Sequence, residues 1–570
     1  MGVKHFYIWL KKHHKDCIYV QDTNTGNYHD KNINNLCIDM NGIIHVCAQK
    51  VYEYGNYKPP IRFLKNNLKK KKLTLNNQLT LFNEIGNMIE DIKNTVLPSK
   101  RIILCIDGVA GCAKMTQQRQ RRFNGSLEFD KNEFDKNCIT PGTSMMFYLS
   151  KYLDWYVKSK ISCDPNWKNI EVIISNERVA GEGEHKIINY IRRHANPCES
   201  FCIHGMDADL IMLGMSLNNN NIYIFRENEY PKREFHLVDI SKLKHKLEIM
   251  MKPENTSKFK RNQGVQDFVL MCFMVGNDFL PTIPNLAILE GGIESMVDVY
   301  KNIFEDYGHL TRNTRVITNM LNLDSLEIFC GTLSQYEKGH FEDKMMKKDK
   351  FIEDPLLEKY TTIKEGKTVV DLENYKKAYY KKKFDIEKEE DIKEVCLQYI
   401  KGLNWIMNYY KHGIPNWKWY YPYFYAPFLS DICKYVKNFK HIKEDDISPL
   451  SPYEQLMCVL PKCSHYLLPK TISSILESTF PNYYPSEFEV DYSGKRKEWE
   501  GIVLLSMVDT KDISTFYNKY KSKLSQKELS QNNNGKSYIY TYSSEFKTNF
   551  KSFYGNINDC SVKLKFIDLE

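Results

Sequence analysis

The chain is 570 residues long, too long for one hydrophobic core, so two or more domains are expected. Hydrophobic residues at 42% and aromatics at 13% are ample for burial, and no apolar run approaches the roughly 18 residues of a membrane-spanning helix, which excludes helical membrane proteins and fully disordered chains. A net charge of +9 is compatible with a nucleic-acid partner but does not by itself imply one. The opening MGVKHFYIWL holds too short an apolar stretch for a secretory signal. Sixteen cysteines are scattered singly, many inside apolar runs, as expected of small core hydrophobes in a reducing compartment. A cytoplasmic location is the expectation, with the nucleus left open. His194, Cys198, Cys202 and His204 lie close together, but their spacing matches no common structural zinc pattern.

The first informative strand signal is NLCIDMNGIIH, Asn35 to His45, where an apolar run delivers Asp39 at its end and Gly42 permits a turn. Four lysines in a row, Lys69 to Lys72, read as a solvated loop. The tetrapeptide LCID then returns at Leu104 to Asp107, again strand, acid and glycine. A turn-capping aspartate explains each one separately; their recurrence argues for a shared role. The following AKMTQQRQRRF reads as a helix in which Lys114, Gln118, Arg121 and Arg122 share one face. Three cations and an amide, with no acid among them, suit a phosphate better than a merely solvated face. The strand EVIIS leads into Glu182 and Glu184 of GEGEHK, where glycines allow close backbone approach at a helix start.

The stretch FCIHGMDADLIMLG carries Asp207 and Asp209, which an extended backbone would project to the same side at the end of a buried strand. Two like charges so placed call for a divalent cation, because hard Mg²⁺ or Mn²⁺ prefers clustered carboxylate oxygens. An acidic first helical turn is the plain alternative. A helix from Gln266 to Val275 then stops at GNDFLP and leaves Asp278 at its mouth. Strands alternating with helices predict an α/β fold with a mostly parallel central sheet, whose strand C-termini gather along one edge. Asp39, Asp107, Glu182, Glu184, Asp207, Asp209 and Asp278 are expected to converge there. Seven acids exceed the needs of one metal, and two ions about 4 Å apart is the arrangement used for in-line phosphodiester hydrolysis.

This gives a catalytic domain over residues 1–300, a lysine-rich linker with short helices over 301–394, and a second, aromatic-rich and mainly helical block over 395–524. In that block PNWKWYYPYFYAP is dense in rings, most of them core, with one or two free to stack bases. Residues 525–570 form a tail with strand-like alternation and no assigned role.

The motifs MGVKHFYIWL, IDMNGIIH, IDGVAGCAKMTQQRQRRF, NCITPGT, GEGEHKI, GMDADLIMLG and VGNDFLP, followed by WKWYYPYFYAP, SPYEQLMCVLP and FEVDYSGKRKEWEGIVLL, occur in one order. With them the chain resembles the XRN 5′-to-3′ exoribonucleases across about residues 1–510, the linker apart. The resemblance implies a core like that of the PIN and flap nucleases, two Mg²⁺ ions held by the seven acids with Mn²⁺ as a substitute, and processive degradation of 5′-monophosphorylated single-stranded RNA to mononucleotides. It assigns Lys114, Gln118, Arg121 and Arg122 to a 5′-monophosphate pocket, His45 to base stacking, and Trp417 or Trp419 to the opposing ring. Three places depart from the family pattern: Gly111-Cys112, Thr282 and Phe424 stand where Pro-Arg, His and His are usual. The sequence also stops soon after the second block, so partner docking through a long C-terminal extension is not expected to carry over. A flap-type structure-specific endonuclease is the alternative enzyme. A catalytically inactive RNA-binding scaffold is the non-enzyme alternative, against which stands the presence of all seven acids.

Overall fold

The computed structural model describes residues 2–21, 31–55, 74–218, 221–228, 234–254, 256–347, 353–441, 448–495, 497 and 500–569. Its first half contains the strands Ile18–Gln21 (β1), Asn35–Asp39 (β2), Arg101–Cys105 (β3), Glu171–Ser175 (β4), Phe201–His204 (β5), Ile222–Asn228 (β6) and Glu234–Asp239 (β7). The inner positions of strands β2 to β5 are apolar because both of their faces are covered, as is usual in parallel sheets. Alternation then decides which side each residue enters. Cys37, Ile103, Ile173 and Ile203 pack into one core, and Leu36, Ile102, Val172 and Cys202 into the other.

The helices Phe6–His13 (α1), Met40–Tyr52 (α2), Leu75–Val96 (α3), Cys112–Ser126 (α4), Ser144–Cys163 (α5), Gly183–His194 (α6), Asp209–Ser216 (α7), Ile240–Met251 (α8) and Arg261–Met274 (α9) lie before, between and after the strands. The first core takes apolar faces of α1, α6, α7, α8 and α9, and the second takes those of α2, α3 and α5. Among the described residues the sheet has nine strands in the order β1-β7-β6-β5-β2-β3-β4, then Ser537–Tyr542 and Val562–Ile567. The five from β6 to β4 run parallel, and both flanks are antiparallel. The chain runs outward from β2 through β3 to β4, then returns to place β5 on the other side of β2. That reversal opens a crevice at the strand C-termini, the usual ligand position in such sheets.

One expectation about the architecture needs correction. Residues 301–394 are not a linker: the helices Leu323–Ser334, Glu337–Met346 and Leu372–Phe384 and the hairpin of Thr361–Lys364 with Lys367–Val370 are packed structure. Phe341, Leu357, Val370, Tyr375, Tyr379 and Tyr380 form a core of their own with Tyr425 and Phe428. The strand-like alternation of the tail corresponds to strands: Ser537–Tyr542 pairs directly with β4, and Tyr540, Ile557 and Val562 enter the second core. The expectation for Lys69 to Lys72 lies outside the described residues. Among the described residues no helix is long and apolar enough to cross a membrane.

Candidate active site

The acids arrive by different routes at the crevice. Asp39 ends β2 and caps α2 by accepting from the Asn41 amide at 3.4 Å, so the turn-capping reading and the cluster coexist. Asp107 follows β3 and is held by Asn41 Nδ2 at 2.8 Å and the Gly183 amide at 2.7 Å. Glu182 and Glu184 flank Gly183 at the start of α6, where a Cβ on Gly183 would stand 2.8 Å from Asp39 Oδ1. That approach requires glycine. Asp209 is the first residue of α7, so it and Asp207 do not project from one extended strand as expected: the chain turns into a helix between them. Asp278 is presented by an Asx turn in which Asn277 Oδ1 accepts from the Phe279 and Leu280 amides at 2.8 and 2.9 Å.

Burial and mutual repulsion show in the acidities. Asp39 and Glu184 are pushed well above the usual carboxylate range by burial and by neighbouring carboxylates. Burial, then Asp278, raises Asp209 to about 7. Asp278 goes the other way: burial opposes ionisation, but Lys114 and the Gly2 amide outweigh it and hold the carboxyl at about 2. Lys114 Nζ lies 2.5 Å from Glu182 Oε2 and 3.0 Å from Asp278 Oδ2, and these acids raise its pKa against the effect of burial. Lys114 thus sits among the acids rather than only beside the arginines. Glu184 Oε2 is buried with no hydrogen-bond partner. Among the described residues no three His, Cys, Asp or Glu side chains are already drawn into a metal-binding group. The donor set nevertheless fits a hard cation: it is all carboxylate oxygen, short of positive charge, and has one buried oxygen to spare.

The rest of the basic face of α4 divides by depth. Gln118 and Arg122 are buried and Arg121 is exposed. Arg122 donates from Nη1 to Thr140 Oγ1 at 2.7 Å, and Gln118 Oε1 has no partner. Burial, then Arg121, lowers the Arg122 pKa to about 9. Asp135 and Asp107 oppose that shift without cancelling it. His45, half-buried on α2, is pulled down to about 3 by burial and then by the charges of Arg121, Arg122 and Lys136.

The two tryptophans separate. Trp419 is 6% exposed and packs on Trp405 with ring centroids 5.0 Å apart, a core ring with no face free for a base. Trp417 is half-buried, and its carbonyl accepts from Cys112 N at the start of α4 at 2.8 Å. Of the pair, Trp417 is the more exposed residue.

Four contributors were not foreseen. Tyr409, on the helix Glu389–His412, donates to Glu182 Oε1 at 2.8 Å and is itself stacked on His185 at 3.6 Å. The Gly2 and Val3 amides donate to Asp278 Oδ1 at 3.0 Å and Asp209 Oδ1 at 3.2 Å. Asn41 also accepts from the Asp107 amide at 3.0 Å. Its place two residues after Asp39 was a usable signal; for the other three the sequence held none.

Comparison with known proteins shows the family of the chain. A family model described as XRN 5′-3′ exonuclease N-terminus matches residues 1–133 and 125–228, and one described as Xrn1 helical domain matches 258–374 and 363–567. The chain is 28% identical over 662 residues to 5′-3′ exoribonuclease 1 of Homo sapiens, covering 100% of this chain and 37% of that protein. It is 29% identical over 685 residues to the 5′-3′ exoribonuclease 2 homolog of Drosophila melanogaster, covering 95% of this chain and 73% of that one. The chain therefore spans well under half of the human relative's length. A solved structure of the catalytic core of Rad2 with a DNA substrate aligns with 60% of this chain at 13% identity and a TM-score of 0.31, too slight a likeness to build on.

Proposed function

The chain belongs to the XRN family, and from that premise we propose that it is a 5′-to-3′ exoribonuclease that removes mononucleotides stepwise from single-stranded RNA with a 5′-monophosphate. The observation that supports the reading is that Asp39, Asp107, Glu182, Glu184, Asp207, Asp209 and Asp278 lie near enough to act on one another's ionisation, beside helix α4 with its buried Arg122. Asp39, Asp107, Glu182, Glu184, Asp207, Asp209 and Asp278 are the residues that would hold divalent cations, Mg²⁺ with Mn²⁺ as substitute. Cations bound there would supply an activated water and stabilise the leaving 3′-oxygen. Lys114 neutralises Glu182 and Asp278, and Tyr409 holds the orientation of Glu182. Gln118, Arg121 and Arg122 receive the terminal phosphate, with Lys114 between the two groups of charges. The work of the chain is cytoplasmic in this reading.

The direct test is purified protein with a 5′-monophosphorylated, 3′-labelled RNA, with Mg²⁺ present or chelated. Mononucleotide release without internal cuts, stopped by the chelator, is expected. Internal cuts would instead identify an endonuclease.

End selection gives a sharper prediction. A charge-assisted hydrogen bond contributes roughly 1.5 to 3 kcal/mol. Arg121→Ala is expected to lower kcat/KM on 5′-monophosphorylated RNA by about tenfold or more and to change the reaction on 5′-hydroxyl RNA little. Equal losses on both substrates at one ionic strength would reduce α4 to a surface that attracts any phosphate.

Stacking gives another. Base stacking on a side-chain ring is worth about 1 to 3 kcal/mol, so His45→Ala and Trp417→Ala are expected to make digestion distributive before chemistry fails. Trp419→Ala should lower the melting temperature instead, because it opens a hole beside Trp405. Unchanged processivity in both of the first two variants would remove the stacking role.

A further inference from the structure

The tail closes a cavity of about 840 Å³ against α3, α5 and the end of β4, within the range of small-ligand sites. It shares no residue with the acids or with the basic face of α4. Its rings include Phe147 and Tyr148 from α5 and Tyr538, Phe553 and Tyr554 from the tail. Phe553 is 72% exposed, so its ring is open to a ligand. Lys151, Arg178, Lys536 and Lys551 also line the cavity.

The charges there are unbalanced. Among the described residues no carboxylate pairs with Lys151, Lys536 or Lys551; Lys151 stands over the Phe147 ring at 4.4 Å and Lys536 over Phe566 at 5.4 Å. Arg178 Nε is buried without a hydrogen-bond partner, its nearest carboxylate oxygen being that of Glu177 at 3.9 Å. Asp154 is the one acid among the described lining residues, and it is engaged by the Tyr540 hydroxyl at 2.8 Å and by Lys158 at 2.8 Å. Three lysines without carboxylate partners and the exposed ring of Phe553 are the two components with which proteins hold unpaired nucleotides: charge for the phosphate, a ring face for the base.

We propose that this cavity is a second nucleotide site, binding a nucleoside phosphate either free or as a unit of a single strand. The proposal does not rest on the hydrolytic reading. An acidic peptide would satisfy the cations but leave the ring faces unused.

The test titrates the full chain, with chelator present, with adenosine 5′-monophosphate and with a 5′-hydroxyl RNA decamer, each in competition with polyglutamate. Phe553→Ala is expected to weaken binding about fivefold or more. The paired change Lys151→Glu and Lys551→Glu is expected to weaken it about tenfold or more. Both should act on a class of sites that Arg121→Ala leaves untouched, and both should spare the melting temperature, since the three residues are exposed. Loss for both ligands identifies the nucleotide unit as what is recognised; loss for the decamer alone identifies a strand, and loss for the monophosphate alone identifies a free nucleotide. Unchanged affinity for both ligands would overturn the proposal. So would charge reversal that weakens polyglutamate and RNA equally while Phe553→Ala changes nothing.

Discussion

Asp207→Asn is expected to lower kcat by about a thousandfold or more while leaving RNA affinity in chelator within a few-fold. Asparagine keeps the size of the side chain and removes its charge. Bound cations contribute several kcal/mol of transition-state charge stabilisation, and each 1.36 kcal/mol is about a tenfold change in rate. The fold should survive, because the contact Asp207 makes with Arg226 runs through its backbone carbonyl, which accepts from Nη1 at 3.0 Å and persists in the variant. Single-turnover digestion of 3′-labelled RNA in Mg²⁺ measures the rate, and filter binding with chelator measures affinity. Near wild-type turnover would sink the assignment of Asp207 to the cations. Lost affinity with a lowered melting temperature would instead make Asp207 a structural residue.

What the sequence could and could not reveal divides by the range of the interaction. The acids were readable because each follows an apolar strand or closes a helix, and the alternation of strands and helices is enough to gather strand ends at one edge. The basic face of α4 was readable because helical spacing is local. The same local reasoning failed at Asp209, where the chain enters α7 and the period of two no longer applies. It failed again over residues 301–394, where lysines on the outer surfaces masked the burial of Tyr375, Tyr379 and Tyr380. Tyr409 reaches Glu182 across 227 positions of sequence, and no local pattern encodes such a meeting. The strand Ser537–Tyr542 could be recognised as a strand, but its partner β4 could not be named, since antiparallel edge pairing has no fixed sequence distance.

The second large effect is expected from Gly2→Ala, a change of one methyl group outside every helix and strand. Gly2 has φ of 72°, in the left-handed region, and a Cβ there would overlap the Asp209 carboxyl group, within 2.7 Å of its Oδ2. The same residue donates its amide to Asp278 Oδ1 at 3.0 Å, so it braces two acids at once. Alanine must either accept the strained conformation, at about 1 to 3 kcal/mol, or swing away and release both contacts. In either case Asp209 and Asp278 lose their set positions. An error of this size in the cluster acts on the transition state, where each 1.36 kcal/mol is about tenfold. The variant is expected to lose about ten- to a hundredfold in kcat with KM nearly constant, because Gln118, Arg121 and Arg122, the residues proposed to receive the terminal phosphate, lie on α4 and do not depend on Gly2. The melting temperature should fall little, since the packing of Phe6, Trp9 and Leu10 of α1 into the first core remains. Steady-state kinetics on 5′-monophosphorylated RNA, paired with thermal unfolding, separates the outcomes. An unchanged kcat would show that the Gly2 amide and its lack of a side chain are incidental to the acids; a rise in KM alone would move this turn from the cluster to the RNA path.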